Sequence, residues 1–157
     1  MAARTLKQVL TIAGSDSGGG AGIQADLKSM SANGVFAMSV ITAVTAQNTE
    51  DVTDVFELPT SIIASQLDAV FDDFEVAAVK TGMLSSTAIV ELVAKMLAIQ
   101  KVTNLVVDPV MISKSGRALL KPDAIDALKK LLFPLALVVT PNIHEAQQLS
   151  GIAISNL

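Results

Sequence analysis

Three residue types are missing from this sequence of 157 residues, which has no cysteine, no tryptophan and no tyrosine. Without cysteine the chain has neither disulfides nor thiolate ligands for a metal ion, a composition that we expect of a cytoplasmic protein. Only five phenylalanines remain. The sequence therefore lacks the aromatic platforms on which the bases of single-stranded nucleic acids stack.

Charged residues are also scarce, at 17% of the chain, and the formal net charge is −4. The absence of a lysine- and arginine-rich cluster excludes the usual electrostatic footprint of nucleic-acid binding. No apolar run approaches the roughly 20 residues that cross a bilayer. The segment LKQVLTIAG follows basic residues, as in a signal peptide. It is short and runs directly into glycines, so we interpret it as a first strand. We expect neither a nucleic acid nor a membrane as a partner.

Apolar residues make up 51% of the sequence and the mean hydropathy is +0.56. These values are typical of strands buried on both faces, or of a part of a larger domain. Five continuous apolar runs bounded by turn residues predict such strands at positions 9–13, 40–45, 76–80, 105–108 and 137–140. Residues 51–58 alternate polar with apolar side chains, which predicts an edge strand or a small flap.

Helical spacing of apolar residues fills the stretches between these strands. The predicted helices follow the start signals PTS at 59–61, SST at 85–87 and PD at 122–123, and a last short helix is predicted near 145–149. Strand and helix therefore alternate as in βαβ units. This order predicts an α/β fold with a mostly parallel sheet and helices on both faces.

A glycine-rich stretch, AGSDSGGGAGIQAD at residues 13–26, follows the first predicted strand and opens a helix. It is not a P-loop, because Gly20 stands where that motif needs lysine. It matches the dinucleotide fingerprint only weakly, from Gly20 to Ala25. A flexible strand-to-helix turn is a simpler interpretation. Asp16 and Asp26 would repel a phosphate but could accept hydrogen bonds from a neutral substrate.

Polar residues also follow the other predicted strands. Because the carboxyl ends of parallel strands share one edge of a sheet, we expect these residues to form a joint site. Gln47 can donate and accept hydrogen bonds along one edge of a planar heterocycle. Met83 and Val110 could sandwich such a ring. Each residue alone also has a purely structural interpretation, such as a loop position for Gln47.

Oxygen ligands occur after the last two strands. Asp108 and Glu145, with Asn142, could hold Mg²⁺ directly or through water. Their structural alternatives are a helix N-cap for Asn142 and a turn position for Asp108. His144 has no apparent partner and is interpreted as a surface residue. The polar segment SKSGR at 113–117 is either a lid or an exposed connection.

Five motifs along the chain resemble one family. GAGIQAD, TAQNT, GML, DPVM and TPNIHEA occur in the order and spacing of the hydroxymethylpyrimidine/phosphomethylpyrimidine kinases of thiamine biosynthesis, in the ribokinase-like superfamily. The sequence departs from the family in its glycine loop, where Gly18 replaces a common serine. The resemblance implies a three-layer α/β/α fold of which residues 1–157 form the N-terminal part.

The resemblance also implies an activity. It is the ATP- and Mg²⁺-dependent phosphorylation of 4-amino-5-hydroxymethyl-2-methylpyrimidine and then of its monophosphate, by a cytoplasmic homodimer. The implied substrate-binding residues are Gly14, Asp26, Gln47, Met83 and Val110. The implied residues on the nucleotide and metal side are Asp108, Asn142 and Glu145, with Asp108 and Glu145 as metal ligands.

The family's anion hole and adenine pocket would lie beyond Leu157. No catalytic residue is therefore expected within this chain, and the chain alone is expected to be inactive.

Three alternatives remain open at the level of sequence. The first is a pyridoxal or pyridoxine kinase of the same superfamily, because some relatives take both substrates. The second is a fragment that binds a pyrimidine without catalysis. The third, a dinucleotide-dependent oxidoreductase, depends on the weak match at Gly20.

Overall fold

The computed structural model describes residues 6–112 and 119–155. Within this part the chain forms six strands, β1 to β6, at Gln8–Asp16, Phe36–Gln47, Val52–Glu57, Val76–Thr81, Leu105–Val107 and Val138–Val139. It forms five α-helices, α1 to α5, at Gly22–Ala32, Thr60–Asp73, Thr87–Ile99, Pro122–Ala127 and Ile143–Ser150. The segment at 113–117, predicted as a lid or a connection, lies outside the described residues.

The strands form one sheet in the order β3-β2-β1-β4-β5-β6. All neighbours are parallel except β3, which pairs antiparallel with β2 at the edge of the sheet. The mostly parallel sheet and the edge strand are thus confirmed. Strand β2 is longer than predicted, since pairing with both β1 and β3 extends it from Phe36 to Gln47.

Side chains of β1 alternate between two faces of the sheet, and the helices divide between these faces. Leu10 and Ile12 belong to the main core, which also contains buried residues of α2, α3 and α4. Thr11, between them, hydrogen-bonds to Asp26 of α1, so α1 lies on the opposite face. The predicted three-layer arrangement is therefore confirmed.

The main core explains why the apolar runs form strands. Leu10, Ile12 and Val40 are fully buried, as are Ile63 and Leu67 of α2. Positions 63 and 67 lie one helical turn apart, so both reach the sheet from one side of the helix. Burial of each such side chain contributes about 1.5–3 kcal/mol to folding.

The helical region after β5 departs from a regular α-helix. Helix α4 ends at Ala127 and continues as a π-helical turn, Leu128–Leu132, and then as a 3₁₀ turn, Phe133–Leu135. Leu128 and Leu132 stay buried through this change. No helix of the described residues has the length and hydropathy needed to cross a bilayer.

An ion pair connects the beginning of this helical region to the edge strand. Lys121 Nζ lies 2.8 Å from Glu57 Oε1, and this hydrogen bond raises the pKa of Lys121 above its ordinary value. The pair is solvent-exposed, so its contribution to stability is small.

Two adjacent isoleucines of α2 test the role of the core. We expect Ile63→Ala to lower the free energy of unfolding by about 2–5 kcal/mol, because the fully buried side chain leaves a cavity. Ile62→Ala is the matched control on the same helix, where the side chain is 47% exposed, and should cost less than about 1 kcal/mol. Urea unfolding measures both, and equal losses would contradict the described orientation of α2.

Candidate functional site

A cavity of about 490 Å³ opens at the carboxyl edge of the sheet. The ends of β1 and β2, the residues after β4 and β5, and the turn from β2 to β3 form its walls. Predicted site residues from five separate segments meet there, as expected from parallel topology. Those lining the cavity are Gly14, Asp26, Gln47, Met83, Asp108 and Val110.

The glycine loop folds around the carboxylate of Asp16. Its Oδ1 accepts a hydrogen bond from the amide of Gly18 at 2.8 Å. Its Oδ2 accepts from the amides of Gly20 and Ala21 at 2.9 and 2.7 Å. Asp16 is only 4% exposed. The sequence indicated that this carboxylate could accept from a neutral substrate; in the structure it accepts from its own loop. The loop amides thus already have an anion as their partner.

Two glycines of this segment lie where other atoms approach the chain closely. Gly22 has φ +56°, and a Cβ atom there would overlap the carbonyl oxygen of Gly14. A Cβ atom at Gly14 would lie 2.5 Å from the Cε atom of Met83. The small residues therefore let helix α1 approach β1 and let Met83 lie against the backbone of β1.

Asp26 belongs to an ionic cluster on the face of the sheet that carries α1. Its Oδ2 accepts from Thr11 Oγ1 at 2.6 Å and from Lys80 Nζ at 3.0 Å. Lys80 Nζ also lies 3.5 Å from Asp108 Oδ2. Among the described residues, Oδ1 of Asp26 accepts no hydrogen bond. One oxygen of Asp26 is thus fixed by the protein and the other is open for a ligand.

Gln47 is held at its backbone and leaves part of its side chain open. The Ser17 hydroxyl donates to the Gln47 carbonyl at 2.7 Å and accepts from the Gln47 amide at 2.8 Å. The side-chain oxygen of Gln47 lies 3.2 Å from Thr45 Oγ1, whose single proton it shares with the nearer Ser15 carbonyl at 2.7 Å. No described residue accepts from its side-chain nitrogen. This group can donate to a ligand in the cavity.

Apolar side chains supply the other walls of the cavity. Met83 is 7% exposed, and its carbonyl accepts from Thr42 Oγ1 at 2.8 Å, which fixes the segment after β4. Val110 follows a tight turn in which its amide donates to the carbonyl of Asp108 at 2.9 Å. Both side chains line the cavity, so a flat apolar ring can contact them.

Asn142 and Glu145 are not part of the described cavity lining. They form a reciprocal cap at the start of α5, in which Asn142 Oδ1 accepts from the Glu145 amide and Glu145 Oε2 accepts from the Asn142 amide. Glu145 Oε1 also accepts from the Met111 amide at 3.4 Å. This cap is the structural alternative considered for Asn142, and the nucleotide and metal roles of both residues stay predictions.

The described residues contain no group of three or more His, Cys, Asp or Glu side chains that could hold a metal ion. Mg²⁺ needs no such group when a nucleotide is present, since it retains waters and binds phosphates with one or two carboxylates. Asp108 fits this role, because its side chain lines the cavity and is 34% exposed. Glu145 is 6% exposed and hydrogen-bonded to two backbone amides.

Sequence reasoning missed two contributors to the cavity. Lys80 was placed at the polar end of a predicted strand, but no role in the site was assigned to it. Residues 49–52, at the turn before β3 and its first residue, also line the cavity, whereas the sequence suggested only an edge strand or a flap from residue 51 onward. The sequence signal for Lys80 was a lysine at the end of an otherwise apolar run. No sequence signal indicated that residues 49–52 line the cavity.

Comparisons with known proteins support the resemblance. The family model described as phosphomethylpyrimidine kinase matches residues 16–157. The hydroxymethylpyrimidine/phosphomethylpyrimidine kinase of Haemophilus influenzae is 58% identical over 149 residues, which are 95% of this chain and 55% of that protein. The chain thus spans about half the length of this relative.

Solved structures confirm the ribokinase-like fold. A phosphomethylpyrimidine kinase from Clostridium difficile 630 superposes with a TM-score of 0.89 and 56% identity, covering 96% of this chain and 65% of that one. A pyridoxal kinase from Staphylococcus aureus, solved with AMP-PCP and pyridoxal, has a TM-score of 0.85 and 37% identity. That match covers 98% of this chain and 55% of the pyridoxal kinase.

The role of Asp16 is testable by removing one carboxylate oxygen. We expect Asp16→Asn to lower the free energy of unfolding by about 1–3 kcal/mol, because an amide nitrogen then faces backbone donors. Asp72→Asn, the same substitution at an exposed position of α2, should change it by less than about 0.5 kcal/mol. Chemical denaturation compares the two variants, and a neutral effect of Asp16→Asn would refute the loop-organising role.

A pair of glycines with positive φ tests the close approach of α1. Gly22 and Gly34 have φ of +56° and +76°, but only at Gly22 would a Cβ atom meet the backbone, since nothing lies within 4 Å at Gly34. Both alanine variants carry backbone strain of about 1 kcal/mol. We expect Gly22→Ala to be less stable than Gly34→Ala by a further 1–3 kcal/mol or so. Thermal unfolding of both variants measures this difference, and equal stabilities would count against it.

Proposed function

Because the chain belongs to the phosphomethylpyrimidine kinase family, we propose that the full-length protein phosphorylates 4-amino-5-hydroxymethyl-2-methylpyrimidine and then its monophosphate, for thiamine biosynthesis. ATP is the phosphoryl donor. One observation carries the proposal: polar groups of Asp26 and Gln47 and apolar walls of Met83 and Val110 line the same cavity.

The cavity favours a small, flat and uncharged ring. Gln47 offers the edge of its amide to a ring nitrogen and an exocyclic amino group. The open Oδ1 of Asp26 accepts from a donor group of the substrate. Met83 and Val110 contact the two faces of the ring, and Gly14 leaves the space that Met83 occupies. Ligand sites of this kind combine apolar walls with a few placed polar groups.

The glycine loop supports an assignment to the substrate rather than to the nucleotide. Three loop amides already donate to Asp16. A phosphate group would have to displace this carboxylate, which is tied to the loop. We therefore place the nucleotide phosphates on the side of Asp108, with Asn142 and Glu145 behind it.

We propose that Mg²⁺ accompanies ATP and that Asp108 holds it, with Glu145 acting through water. The ion would offset the charge of the transferred phosphoryl group when bound. Asp108 contributes a carboxylate at the cavity wall, whereas Glu145 keeps the segment around Met111 in place. The described residues thus bind and orient the pyrimidine, which accepts the phosphoryl group. Phosphoryl transfer depends mainly on such positioning.

A pyridoxal kinase activity is the second candidate. The observation in its favour is the fold match to the Staphylococcus aureus pyridoxal kinase, which covers 98% of this chain. Pyridoxal is also a small planar ring with a hydroxymethyl group, and it would fit between the same apolar walls. A homodimer in the cytoplasm is proposed for either activity from the resemblance.

Parallel assays distinguish the two candidates. We expect the full-length protein to phosphorylate hydroxymethylpyrimidine with a kcat/KM at least about tenfold above that for pyridoxal, because Gln47 hydrogen-bonds to the aminopyrimidine edge. Coupled ADP-release assays with Mg-ATP measure both values. A preference for pyridoxal would favour the second candidate, and turnover of neither substrate would contradict the proposed function.

Asp26 provides a site-directed test of the same proposal. Asp26→Asn should lower kcat/KM for hydroxymethylpyrimidine by about ten- to hundredfold, because a charge-assisted hydrogen bond to the substrate is lost. Asp72→Asn is the control, since this aspartate is exposed on α2, and it should leave kcat/KM unchanged. Equal values for both variants would remove Asp26 from the site.

A further inference from the structure

Lys80 is a charged residue in the interior of the sheet. It lies in β4, between β1 and β5, opposite Thr11 and Val106. Its side chain is only 20% exposed. Lysine is rarely buried in this way unless its ammonium group is paired. The position therefore requires an explanation beyond strand formation.

The ammonium group joins two residues that come from opposite parts of the site. Asp26 is on α1, and its Oδ2 lies 3.0 Å from Lys80 Nζ. Asp108 directly follows β5, and its Oδ2 lies 3.5 Å from the same atom. Under the proposed function, Asp26 contacts the pyrimidine and Asp108 lies on the side of the nucleotide phosphates. Lys80 is thus the direct link between the two halves of the site.

The surrounding backbone leaves space for this ammonium group. A Cβ atom at Gly82 would lie 3.0 Å from Lys80 Nζ and 3.0 Å from the Cβ of Ala13. The glycine that follows β4 therefore keeps open the space beside the lysine head. Thr11, which faces Lys80 across the strand pair, also donates to Asp26 Oδ2. The position of this oxygen is fixed from two sides.

Lys80 also offsets part of the negative charge of the cavity. Among the described residues, the cavity lining holds five acidic side chains and one basic side chain, Lys80. Without it, Asp26 and Asp108 would face each other with no cation between them. Like charges at short range repel strongly when they are partly buried.

We propose that Lys80 is a positioning residue of the site that binds the pyrimidine. It binds Oδ2 of Asp26 and so presents Oδ1 to the substrate, while it holds Asp108 beside the same site. This inference rests on the proposed function, since the substrate is the proposed pyrimidine. It adds a residue that acts through Asp26 rather than through direct contact with the ring.

Binding of hydroxymethylpyrimidine to the full-length protein, measured by calorimetry without nucleotide, tests the inference. We expect Lys80→Met to weaken binding by roughly ten- to hundredfold, because Asp26 loses its orienting partner. Lys80→Arg keeps the charge and should lose less. Lys95→Met is the matched control, because Lys95 is exposed on α3, and its affinity should equal that of the unsubstituted protein.

A double-substitution cycle separates positioning from a general structural effect. If Lys80 acts through Asp26, the combined K80M/D26N variant binds within about threefold of D26N alone. Additive losses would overturn the inference, as would equal losses for Lys80→Met and Lys80→Arg or unchanged affinity of Lys80→Met. Circular dichroism verifies folding, and Lys80→Gln replaces Lys80→Met in the cycle if the latter does not fold.

The unsubstituted protein separates this inference from the proposed function. If it binds neither hydroxymethylpyrimidine nor pyridoxal, the proposed function fails and the inference fails with it. If it binds the pyrimidine but the Lys80 variants behave like Lys95→Met, only the inference fails.

Discussion

The hydrogen bonds between the Asp16 carboxylate and its own loop determine how the site is built. A buried carboxylate is stable only when donors surround it, and here three backbone amides of a glycine-rich segment supply them. The loop therefore cannot spread, and helix α1 begins at a fixed distance from β1. This start places Asp26, one turn into the helix, over the sheet beside Thr11 and Lys80. The Asp26 side of the cavity depends on this sequence of contacts.

The same contacts support the proposal that this glycine-rich loop does not bind a phosphate. Backbone amides at the start of a helix attract anions, but here the Asp16 carboxylate already accepts the hydrogen bonds of these amides. Under the proposed function the cavity binds a neutral ring, with Oδ1 of Asp26 and the side-chain amide of Gln47 as polar partners. Specificity follows from which polar groups the fold leaves unpaired.

The sequence predicted the strands, the helices and most of the cavity, because parallel topology brings strand ends to one edge whatever the side chains are. Gly14, Asp26, Gln47, Met83, Asp108 and Val110 meet in the structure for that reason. The partners of the charged groups in the cavity were not predictable. Asp16 and Asp26 are both acidic residues of one segment, yet one closes a loop and the other faces a lysine. The role of Lys80 was missed, since its partners come from α1 and from the residue after β5, which are distant in sequence.

The cap of helix α5 has a mechanical consequence. Glu145 holds the amide of Asn142 with one oxygen and that of Met111 with the other, so one buried side chain fastens two separate segments. The stretch from Asp108 to Met111 carries a carboxylate and an apolar wall of the cavity. Its position therefore depends in part on a helix that lies outside the cavity lining. A displacement of α5 would therefore reach the pocket wall through the hydrogen bond between Glu145 and the Met111 amide.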